Sequence, residues 1–244
     1  MSEPGPQSSH IRTFHPRRGR IGPTRAQALA DLWPSWGFDI SPPAAEPGEG
    51  AARDQAFDPA ALFGRPPGSP ERPLVLEIGC GMGEATVERA AADPGRDYLG
   101  VDVHTPGLGN LLTLARENGL DNVRAACGDA VEFLRDLVKP ASVDTIQVFF
   151  PDPWPKARHH KRRIIRPDLV ALMRERLRPG GILHCATDWA DYAQQMLDVL
   201  GNDPGLVNTA DGYAPRPDWR PVTKFERRAR VAGREVFDLI FVAR

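Results

Sequence analysis

The chain has 244 residues, which suits one α/β domain with appendages, and its 41% hydrophobic and 26% charged content is that of a globular protein. Its three cysteines, Cys80, Cys127 and Cys185, are far apart and form no CxxC pair, which argues against a zinc ribbon, a thioredoxin motif and a disulfide scaffold. No apolar run approaches the roughly 18 residues of a membrane-spanning helix, and the first ten residues lack the apolar centre of a signal peptide. We therefore expect a soluble cytoplasmic protein.

The net charge of −1 hides a strong segregation of charge along the chain. Residues 12–25, 156–166 and 216–234 together carry 18 of the 31 Lys and Arg side chains but only 2 of the 32 Asp and Glu side chains. If the fold brings these three basic segments together, they form a surface for an anionic partner. The alternative is three separate solvated loops, and charge alone does not decide between the two.

The N-terminal part of the chain predicts an appendage rather than a domain. Residues 1–11 are predicted to be disordered, and a short helix is predicted over 24–33, with Thr24 as its N-cap and Pro34 at its end. Residues 41–70 are rich in Pro, Gly and Ala, which predicts a connector. The expected division is a flexible basic arm with a Pro/Gly-rich connector, 1–70, and one domain, 71–244.

From Pro73 onward, short apolar runs alternate with helical segments. The predicted strands are 74–79, 97–102, 122–129 with its turn, 143–150, 180–187 and 235–244. The predicted helices are 84–92, 107–118, 130–137, 167–177 and 189–200. This alternation predicts a parallel, doubly wound α/β sheet, which binds ligands beyond the carboxyl ends of its strands near the point where strand order reverses.

The first strand of this pattern ends in a glycine-rich loop with Gly79, Gly81 and Gly83. Glycines let the backbone turn tightly and approach a ligand closely. A dinucleotide-binding loop would have Gly or Ala where Glu84 stands, and an acid fits poorly beside a pyrophosphate. Glu77, two residues before the first glycine, suits a cationic ligand such as S-adenosylmethionine (SAM). The alternative is a purely structural strand-to-helix turn.

Two more acids follow the next two predicted strands. Asp102 is placed to accept the ribose hydroxyls of an adenosine, although NAD sites use an acid in the same way. Asp129 is placed to meet an adenine amino group, and it also suits the N-cap of the helix over 130–137. Together with Glu77 and the glycines, these acids make SAM the leading cofactor.

The segment VFFPDPWPKARHHKRRI, residues 148–164, is the most specific stretch of the chain. Three prolines in five residues stiffen the loop and hold Asp152 at the end of the fourth predicted strand, beside the cofactor loop. Trp154 offers a flat face on which a base can stack. Aromatic and basic residues next to a cofactor site point to a nucleic acid substrate. The alternative is a rigid turn with Trp154 at the edge of the core and a solvated run of charge.

These motifs, with ATDW at 186–189 and TKFERR at 223–228, resemble the bacterial tRNA (guanine-N7)-methyltransferase family, TrmB. The resemblance runs in order from about residue 12 to the C-terminus. It implies a class I SAM-dependent, Rossmann-like methyltransferase fold, with a mostly parallel seven-stranded sheet and an antiparallel C-terminal strand. It also implies tRNA modification at N7 of a variable-loop guanine, position 46. Two departures are Asp102, where many members have Glu, and Pro155, where many have His or another residue.

The resemblance also assigns roles to residues of this chain. It implies a catalytic and cofactor-contacting Asp152. The implied cofactor-binding residues are Glu77, Gly79, Gly81, Gly83, Asp102, Asp129 and Asp152. The expected substrate-binding residues are Lys156, Arg158, His159, His160, Lys161, Arg162, Arg163, Asp188, Thr223, Lys224, Phe225 and Glu226. We expect no metal ligands, since His159 and His160 lack acid or Cys partners nearby in the sequence.

Some of these residues have an alternative role that the sequence leaves open. Asp188 could cap the helix over 189–200 as well as bind substrate, and 223–226 could be an exposed connection between strands. The expected partner is tRNA, with neither a membrane nor a metal, and both a monomer and a homodimer are compatible with the sequence.

Three competing functions share part of this pattern. A NAD-dependent dehydrogenase would use the glycine loop and Asp102, but Glu84 disfavours it and no acid/base pair for hydride transfer is evident. A small-molecule methyltransferase leaves the basic loop unexplained. A non-catalytic RNA-binding protein leaves the acidic cofactor site unused.

Overall fold

A computed structural model describes residues 11–15, 21–40 and 57–244. They form a single sheet of eight strands in the order β1-β4-β3-β2-β5-β6-β8-β7. The strands are β1 (Gly37–Asp39), β2 (Leu74–Ile78), β3 (Asp97–Asp102), β4 (Val123–Cys127), β5 (Val143–Phe149), β6 (Leu177–Thr187), β7 (Leu206–Asn208) and β8 (Phe237–Ala243).

Helices connect these strands and cover the sheet. They are α1 (Pro23–Trp36), α2 (Pro59–Leu62), α3 (Glu84–Ala92), α4 (Thr105–Glu117), α5 (Ala130–Glu132), α6 (Pro167–Arg176), α7 (Ala190–Gly201) and α8 (Lys224–Val231). A π-helical turn at Phe133–Leu137 continues α5, and a 3₁₀ helix spans Ala157–Arg162. In the part of the chain described, no helix is long and apolar enough to cross a membrane.

The sheet has the topology expected of a doubly wound fold. Strands β1 to β6 pair in parallel, whereas β8 pairs antiparallel to both β6 and β7. The strand order reverses between β2 and β5, so a crevice opens there at the carboxyl ends of the strands. The predicted α/β class, the parallel sheet and the antiparallel C-terminal strand are confirmed. The sheet has eight strands rather than seven because β1 adds to the edge of β4.

Alternate residues of the central strands pack on opposite faces of the sheet. On β2, Leu74, Leu76 and Ile78 belong to one apolar cluster with α6 and α7, whereas Val75 belongs to a second cluster with α3 and α4. Both faces are therefore covered, as the continuous apolar runs of the parallel strands require.

The first helix is longer than the sequence predicts. It begins at Pro23, with Gly22 as N-cap, and it continues through Pro34 to Trp36. Proline at the first helical position is favourable because its φ is already helical. Pro34 lies in the last turn, where the helix loses one hydrogen bond without ending, and the Gly37 N–H still donates to the Trp33 carbonyl.

The described end of the predicted connector, 57–70, is packed against the domain. Phe57 donates its N–H to the Leu137 carbonyl, and the side chain of Phe63 is buried in the core. Arg124 of β4 donates to the Leu62 carbonyl and lies 4.8 Å from the ring centre of Trp36. Both α1 and α2 are thereby joined to the sheet edge. Residues 1–10, 16–20 and 41–56, on which part of the arm and connector prediction falls, lie outside the described residues, and the boundary at residue 70 stays a prediction.

Most other predicted elements agree with the structure to within two or three residues. Strand β3 and helix α3 have the predicted bounds, and α4 begins two residues early, at Thr105, because Pro106 suits its first turn. The sequence prediction missed β1, α2, β7 and α8.

Candidate active site

The glycine loop lies at the carboxyl ends of β2 and β3. The Gly79 N–H donates to the Val101 carbonyl at 2.8 Å, and the Gly81 N–H donates to Asp102 Oδ2 at 2.8 Å. Gly79, Gly81 and Gly83 all have φ between 60° and 78°, in the left-handed region that favours glycine. These contacts bring the loop and Asp102 together, as predicted.

Two close approaches fix the height of this loop above the sheet. A Cβ on Gly83 would lie 2.6 Å from the Leu111 side chain, and a Cβ on Gly107 of α4 would lie 1.9 Å from the Gly81 carbonyl oxygen. Only glycine at these positions lets α4 pack directly on the loop.

A cleft opens beside the loop at the point where strand order reverses. It is lined by Thr13, Phe14, His15, Ile78, Gly79, Gly81, Val101, Asp102, Val103, Gly128, Ala130, Val148, Phe149, Phe150, Pro151, Asp152, Ile164 and Phe225. The lining holds two carboxylates and neither Lys nor Arg among the described residues. Such a site suits an adenosyl ligand that carries positive charge, and it offers no counter-charge to a phosphate.

A second cleft adjoins the first across the glycine loop. Its lining adds Glu77 of β2, Cys80 and Met82 of the glycine loop, Glu84, Ala85 and Glu88 of α3, and Pro221, Val222, Thr223, Lys224 and Arg227 of the C-terminal basic segment. The two clefts share Gly79, Gly81, Phe149, Phe150 and Phe225. Together they form one elongated site along the carboxyl edge of the sheet.

Glu77 is the buried acid of the second cleft. Its side chain accepts a hydrogen bond from Thr86 Oγ1 at 2.6 Å. Burial raises the pKa of Glu77 to about 7, although the Thr86 hydrogen bond opposes the rise and the negative charge of Asp102 adds to it. A cationic group bound beside Glu77 would favour the ionised carboxylate.

Two further predicted cofactor acids follow β3 and β4: Asp102 lines the first cleft, and Asp129 lies between two residues that line it, Gly128 and Ala130. Asp102 accepts hydrogen bonds from the Gly81 and His104 N–H groups, at 2.8 Å each. Asp129 is the N-cap of α5 and accepts from the Val131 N–H at 2.9 Å, which confirms the capping role. Its contact with adenine stays a prediction.

The loop after β5 brings Asp152 to the first cleft. Phe150 and Trp154 have φ values of 50° and 47°, a region that non-glycine residues seldom occupy and that often marks functional sites. Asp152 Oδ2 accepts a hydrogen bond from the backbone N–H of His15 at 3.0 Å. Asp152 therefore lines the first cleft and belongs to the loop that leads into the basic run, and its catalytic role stays a prediction.

Trp154 differs from the exposed stacking surface that the sequence suggested. Its side chain is only 3% exposed, and its Nε1–H donates to the Thr13 carbonyl at 3.3 Å. The His15 ring lies against it with 3.8 Å between ring centres, and the Arg162 guanidinium lies 4.9 Å from the ring centre. The N-terminal segment 11–15 covers this tryptophan.

The basic run contains both exposed and buried side chains. Lys156, Arg158 and Lys161 are exposed. Arg163 is only 1% exposed, and its guanidinium donates to the Pro153 carbonyl and to Asp191 Oδ2 at 2.9 and 2.6 Å. Arg163 therefore holds the loop in place rather than presenting its charge to a substrate, which corrects that part of the prediction.

The two histidines of this run are half-buried rather than solvent-exposed. His159 has its ring edge toward Trp154, and the pKa of His159 is lowered by partial desolvation and by the positive charges of Arg158 and Arg162. His160 Nε2 lies 3.9 Å from an Asp191 carboxylate oxygen. Over the described residues, no group of three His, Cys, Asp or Glu side chains is arranged to hold a metal ion.

The TKFE segment is the start of helix α8 rather than an exposed connection. The Thr223 side chain caps the helix by accepting the Glu226 N–H at 3.1 Å. Phe225 stacks on Phe150, with 6.0 Å between ring centres, and Lys224 lies over the Phe225 ring. Thr223, Lys224 and Phe225 line the second cleft, and their contact with substrate stays a prediction.

Glu226 is buried away from the clefts, which corrects its predicted contact with substrate. It is 1% exposed and pairs with Arg220 at 2.7 Å, Arg216 at 3.0 Å and Arg230. Arg220, itself fully buried, also pairs with Asp238 of β8 at 2.8 Å. Glu226 therefore ties α8 to the sheet.

His184 completes this buried network. Its Nε2 lies 2.7 Å from Asp238 Oδ1, and both side chains are buried. Burial lowers the pKa of His184, against the opposing effect of Asp238. The His184 ring also contacts Phe149, so the network reaches the wall shared by the two clefts.

Asp188 lies near these groups but does not cap α7. The N-cap is Trp189, whose N–H is satisfied by Thr187 Oγ1 at 3.2 Å. The Asp188 carboxylate instead pairs with Arg234 at 2.8 Å. The capping alternative is wrong, and the substrate contact of Asp188 stays a prediction.

Sequence reasoning missed His15, Phe150 and Arg220 as contributors to the site. One local signal was available for α8, since a Thr followed three residues later by Glu is a known N-terminal helix pattern. No local pattern marks His15, because its partner Asp152 is 137 residues away along the chain. No local pattern marks Arg220 either, because its partners Glu226 and Asp238 lie on two other elements, α8 and β8.

Comparison with known proteins gives the site a family. A family described as "Putative methyltransferase" matches residues 71–239. A tRNA (guanine-N(7)-)-methyltransferase of Streptomyces avermitilis is 51% identical over 97% of this chain and 78% of its own length. Proteins of the same name from Bordetella pertussis and Paraburkholderia xenovorans are 50% and 51% identical, over 97% and 95% of this chain and 86% and 82% of their own lengths.

The chain belongs to the tRNA (guanine-N(7)-)-methyltransferase family. Membership confirms the resemblance seen in the sequence and makes a dehydrogenase the wrong alternative. In a methyltransferase, a methyl donor is the ligand expected beside the glycine loop and its acids.

Solved structures support the fold. The 16S rRNA methyltransferase KamB aligns with a TM-score of 0.54 at 18% identity, over 70% of this chain and 87% of its own. TrmN from Thermus thermophilus aligns with a TM-score of 0.51 at 19% identity, over 71% of this chain and 45% of its own. At this identity the likeness concerns the fold alone, and it confirms the methyltransferase-type α/β architecture.

The buried position of Glu77 predicts a pH-dependent cost of folding. Because its folded pKa of about 7 exceeds its ordinary value of 4.5, the folded state binds more protons than the unfolded state between these pH values, and stability falls as pH rises through that window. Glu77→Gln keeps the shape and removes this fall. We expect the ligand-free variant to match the wild type near pH 4.5 and to exceed its free energy of unfolding by roughly 3 kcal/mol at pH 8.

Urea unfolding at a series of pH values measures this difference. Glu84→Gln, at the exposed first residue of α3, is the matched control and should show no such trend. A difference between Glu77→Gln and wild type that stays constant with pH would contradict the role of burial.

Proposed function

We propose that this protein transfers the methyl group of SAM to N7 of a variable-loop guanine, position 46, in tRNA. The observation that carries the proposal is the position of Asp152. This carboxylate lines the first cofactor cleft and belongs to the loop that continues into the basic run. Asp152 thus belongs both to the acidic first cleft and to the loop that carries the basic run.

The residues present fit SAM. Glu77 would face its ammonium group, Asp102 its ribose hydroxyls and Asp129 its adenine amino group, while Gly79 and Gly81 allow close approach of the backbone. When bound, SAM supplies an electrophilic methyl group on its sulfonium sulfur. The absence of Lys and Arg from the first cleft's described lining supports a phosphate-free cationic cofactor over a dinucleotide.

Guanine N7 carries an in-plane lone pair and no proton, so the reaction needs no general base. The task of the protein is to hold N7 in line with the methyl group, and positioning of this kind can supply much of the rate enhancement. The methylated base is cationic. The Asp152 carboxylate would stabilise the developing charge and accept hydrogen bonds from guanine N1–H or the N2 amino group, which adenine lacks.

The basic surface around the site suits the phosphates of tRNA. Lys156, Arg158 and Lys161 on the loop, and Arg227 and Arg228 on α8, are exposed. Arg227 lines the second cleft, and the loop residues follow Asp152 of the first cleft, so basic segments adjoin both clefts. This supports a single anionic partner over separate solvated loops. A tRNA substrate implies a cytoplasmic protein, and a monomer and a homodimer both remain compatible with this proposal.

Asp152→Asn tests the role of the negative charge. We expect it to lower kcat for methyl transfer to unmodified tRNA roughly a hundredfold or more, because the amide keeps the shape but cannot offset the positive charge that develops on the base. Incorporation of labelled methyl from SAM into tRNA measures the effect.

Asp168→Asn is the matched control, because Asp168 is an exposed carboxylate paired with Arg166 on the surface. It should retain wild-type turnover. Turnover of Asp152→Asn within threefold of wild type would refute the charge role.

The basic run predicts a steep salt dependence of tRNA binding. Each phosphate contact lowers log affinity by about 0.7–0.9 per unit of log salt concentration. Replacing Lys156, Arg158 and Lys161 with alanine should therefore reduce the slope by about 2, as measured by filter binding at several salt concentrations.

Arg116→Ala is the charge control, because Arg116 is exposed in the last turn of α4, at the opposite edge of the sheet from the clefts. It should leave the slope unchanged. A slope in the triple variant equal to that of Arg116→Ala would exclude the loop from the RNA interface.

A further inference from the structure

The N-terminal segment 11–15 makes three contacts with the loop that carries Asp152. The backbone N–H of His15 donates to Asp152 Oδ2 at 3.0 Å. The His15 ring lies on Trp154, with 3.8 Å between ring centres and 30° between the ring planes. The Thr13 carbonyl accepts the Trp154 Nε1–H at 3.3 Å. Residues far apart in sequence are thus brought together at the proposed catalytic residue.

These contacts are chemically those that a guanine would make. A base has an aromatic face to place against Trp154, and guanine has N–H donors for the Asp152 carboxylate. His15 supplies both at once, a flat ring on the tryptophan and an N–H to the carboxylate. Thr13, Phe14 and His15 also line the first cleft, so the segment occupies the space next to the cofactor loop.

We propose that the Trp154 ring and the Asp152 carboxylate form the binding site for the target base, and that residues 13–15 fill this site in the RNA-free protein and leave it when tRNA binds. The proposal rests on the proposed function, since it takes guanine as the ligand. It explains why an aromatic side chain in an RNA-facing loop is only 3% exposed.

The sequence around this segment provides a means of displacing it. Residues 12–25 carry five Arg and no Asp or Glu. Phosphates of a bound tRNA attract this stretch, so RNA binding and withdrawal of residues 13–15 favour each other. The protein's own segment then acts as an intramolecular competitor, and it lowers apparent affinity by the fraction of molecules in which the site is filled.

The His15 amide itself reports the state of this site. The chain has six histidines, so protein labelled with ¹⁵N-histidine gives at most six backbone amide signals, and the His15 signal is the one that is lost in His15→Ala. We expect unmodified tRNA to accelerate solvent exchange of this amide at least fivefold, since its bond to Asp152 is broken. S-adenosylhomocysteine alone should not do so. Unchanged or slower exchange with tRNA would overturn the proposal, because the segment would then remain in place beside the substrate.

Steady-state kinetics on the full chain provide the second arm. His15→Ala should raise kcat/KM for unmodified tRNA roughly two- to tenfold, mainly through KM, the range expected for loss of one aromatic contact. Ile11→Ala, at an exposed residue of the same segment, is the matched control and should leave kcat/KM unchanged.

A fall in kcat/KM for His15→Ala, or no change, would overturn the proposal, since His15 would then help to build the catalytic site or stand apart from it. The wild-type reaction distinguishes this failure from failure of the proposed function. If wild-type protein forms no 7-methylguanine while tRNA still accelerates His15 exchange, the activity is wrong and the displacement by RNA stands.

Discussion

The arrangement of the site depends on Arg220, a fully buried guanidinium paired with two buried carboxylates, Glu226 of α8 and Asp238 of β8. Removing one partner of such a group leaves an uncompensated buried charge and typically costs 3–5 kcal/mol. Through this network the last helix is held against the sheet, and Phe225 is held against Phe150 between the two clefts. The C-terminal segment can therefore contribute to a site that the other strands begin.

A second constraint comes from the parallel sheet, whose strands β2, β3, β4 and β5 all end at the same edge. Glu77, Asp102, Asp152, Gly79 and Gly81 line an acidic site at these strand ends, while the loop after β5 runs directly into exposed basic residues. Under the proposed function, this separation of charge over a short distance would let one edge of the sheet hold a cationic cofactor and an anionic polymer together. Asp152 is at the boundary between the two.

The sequence predicted the sheet, the cofactor loop and the position of Asp152 because these depend on local periodicity, glycine chemistry and the order of elements. It failed where burial depends on distant partners. Arg163 and Glu226 are charged residues of the kind that bind substrates, yet both are buried in ion pairs within the protein. Arg163 pairs with Asp191, and Glu226 pairs with Arg220. Trp154 looked free because its cover comes from residues 13–15. The identity of a charged or aromatic residue in the sequence does not show which distant side chain will pack against it in the fold.

We propose that this edge of the sheet brings a methyl donor to N7 of one guanine. The most direct measurement is transfer of labelled methyl from SAM into unmodified tRNA, followed by borohydride reduction and aniline cleavage, which cuts the chain at 7-methylguanine. We expect incorporation of label and one cut, at position 46 of the variable loop. Label without that cut, or no label from a protein that binds tRNA, would contradict it.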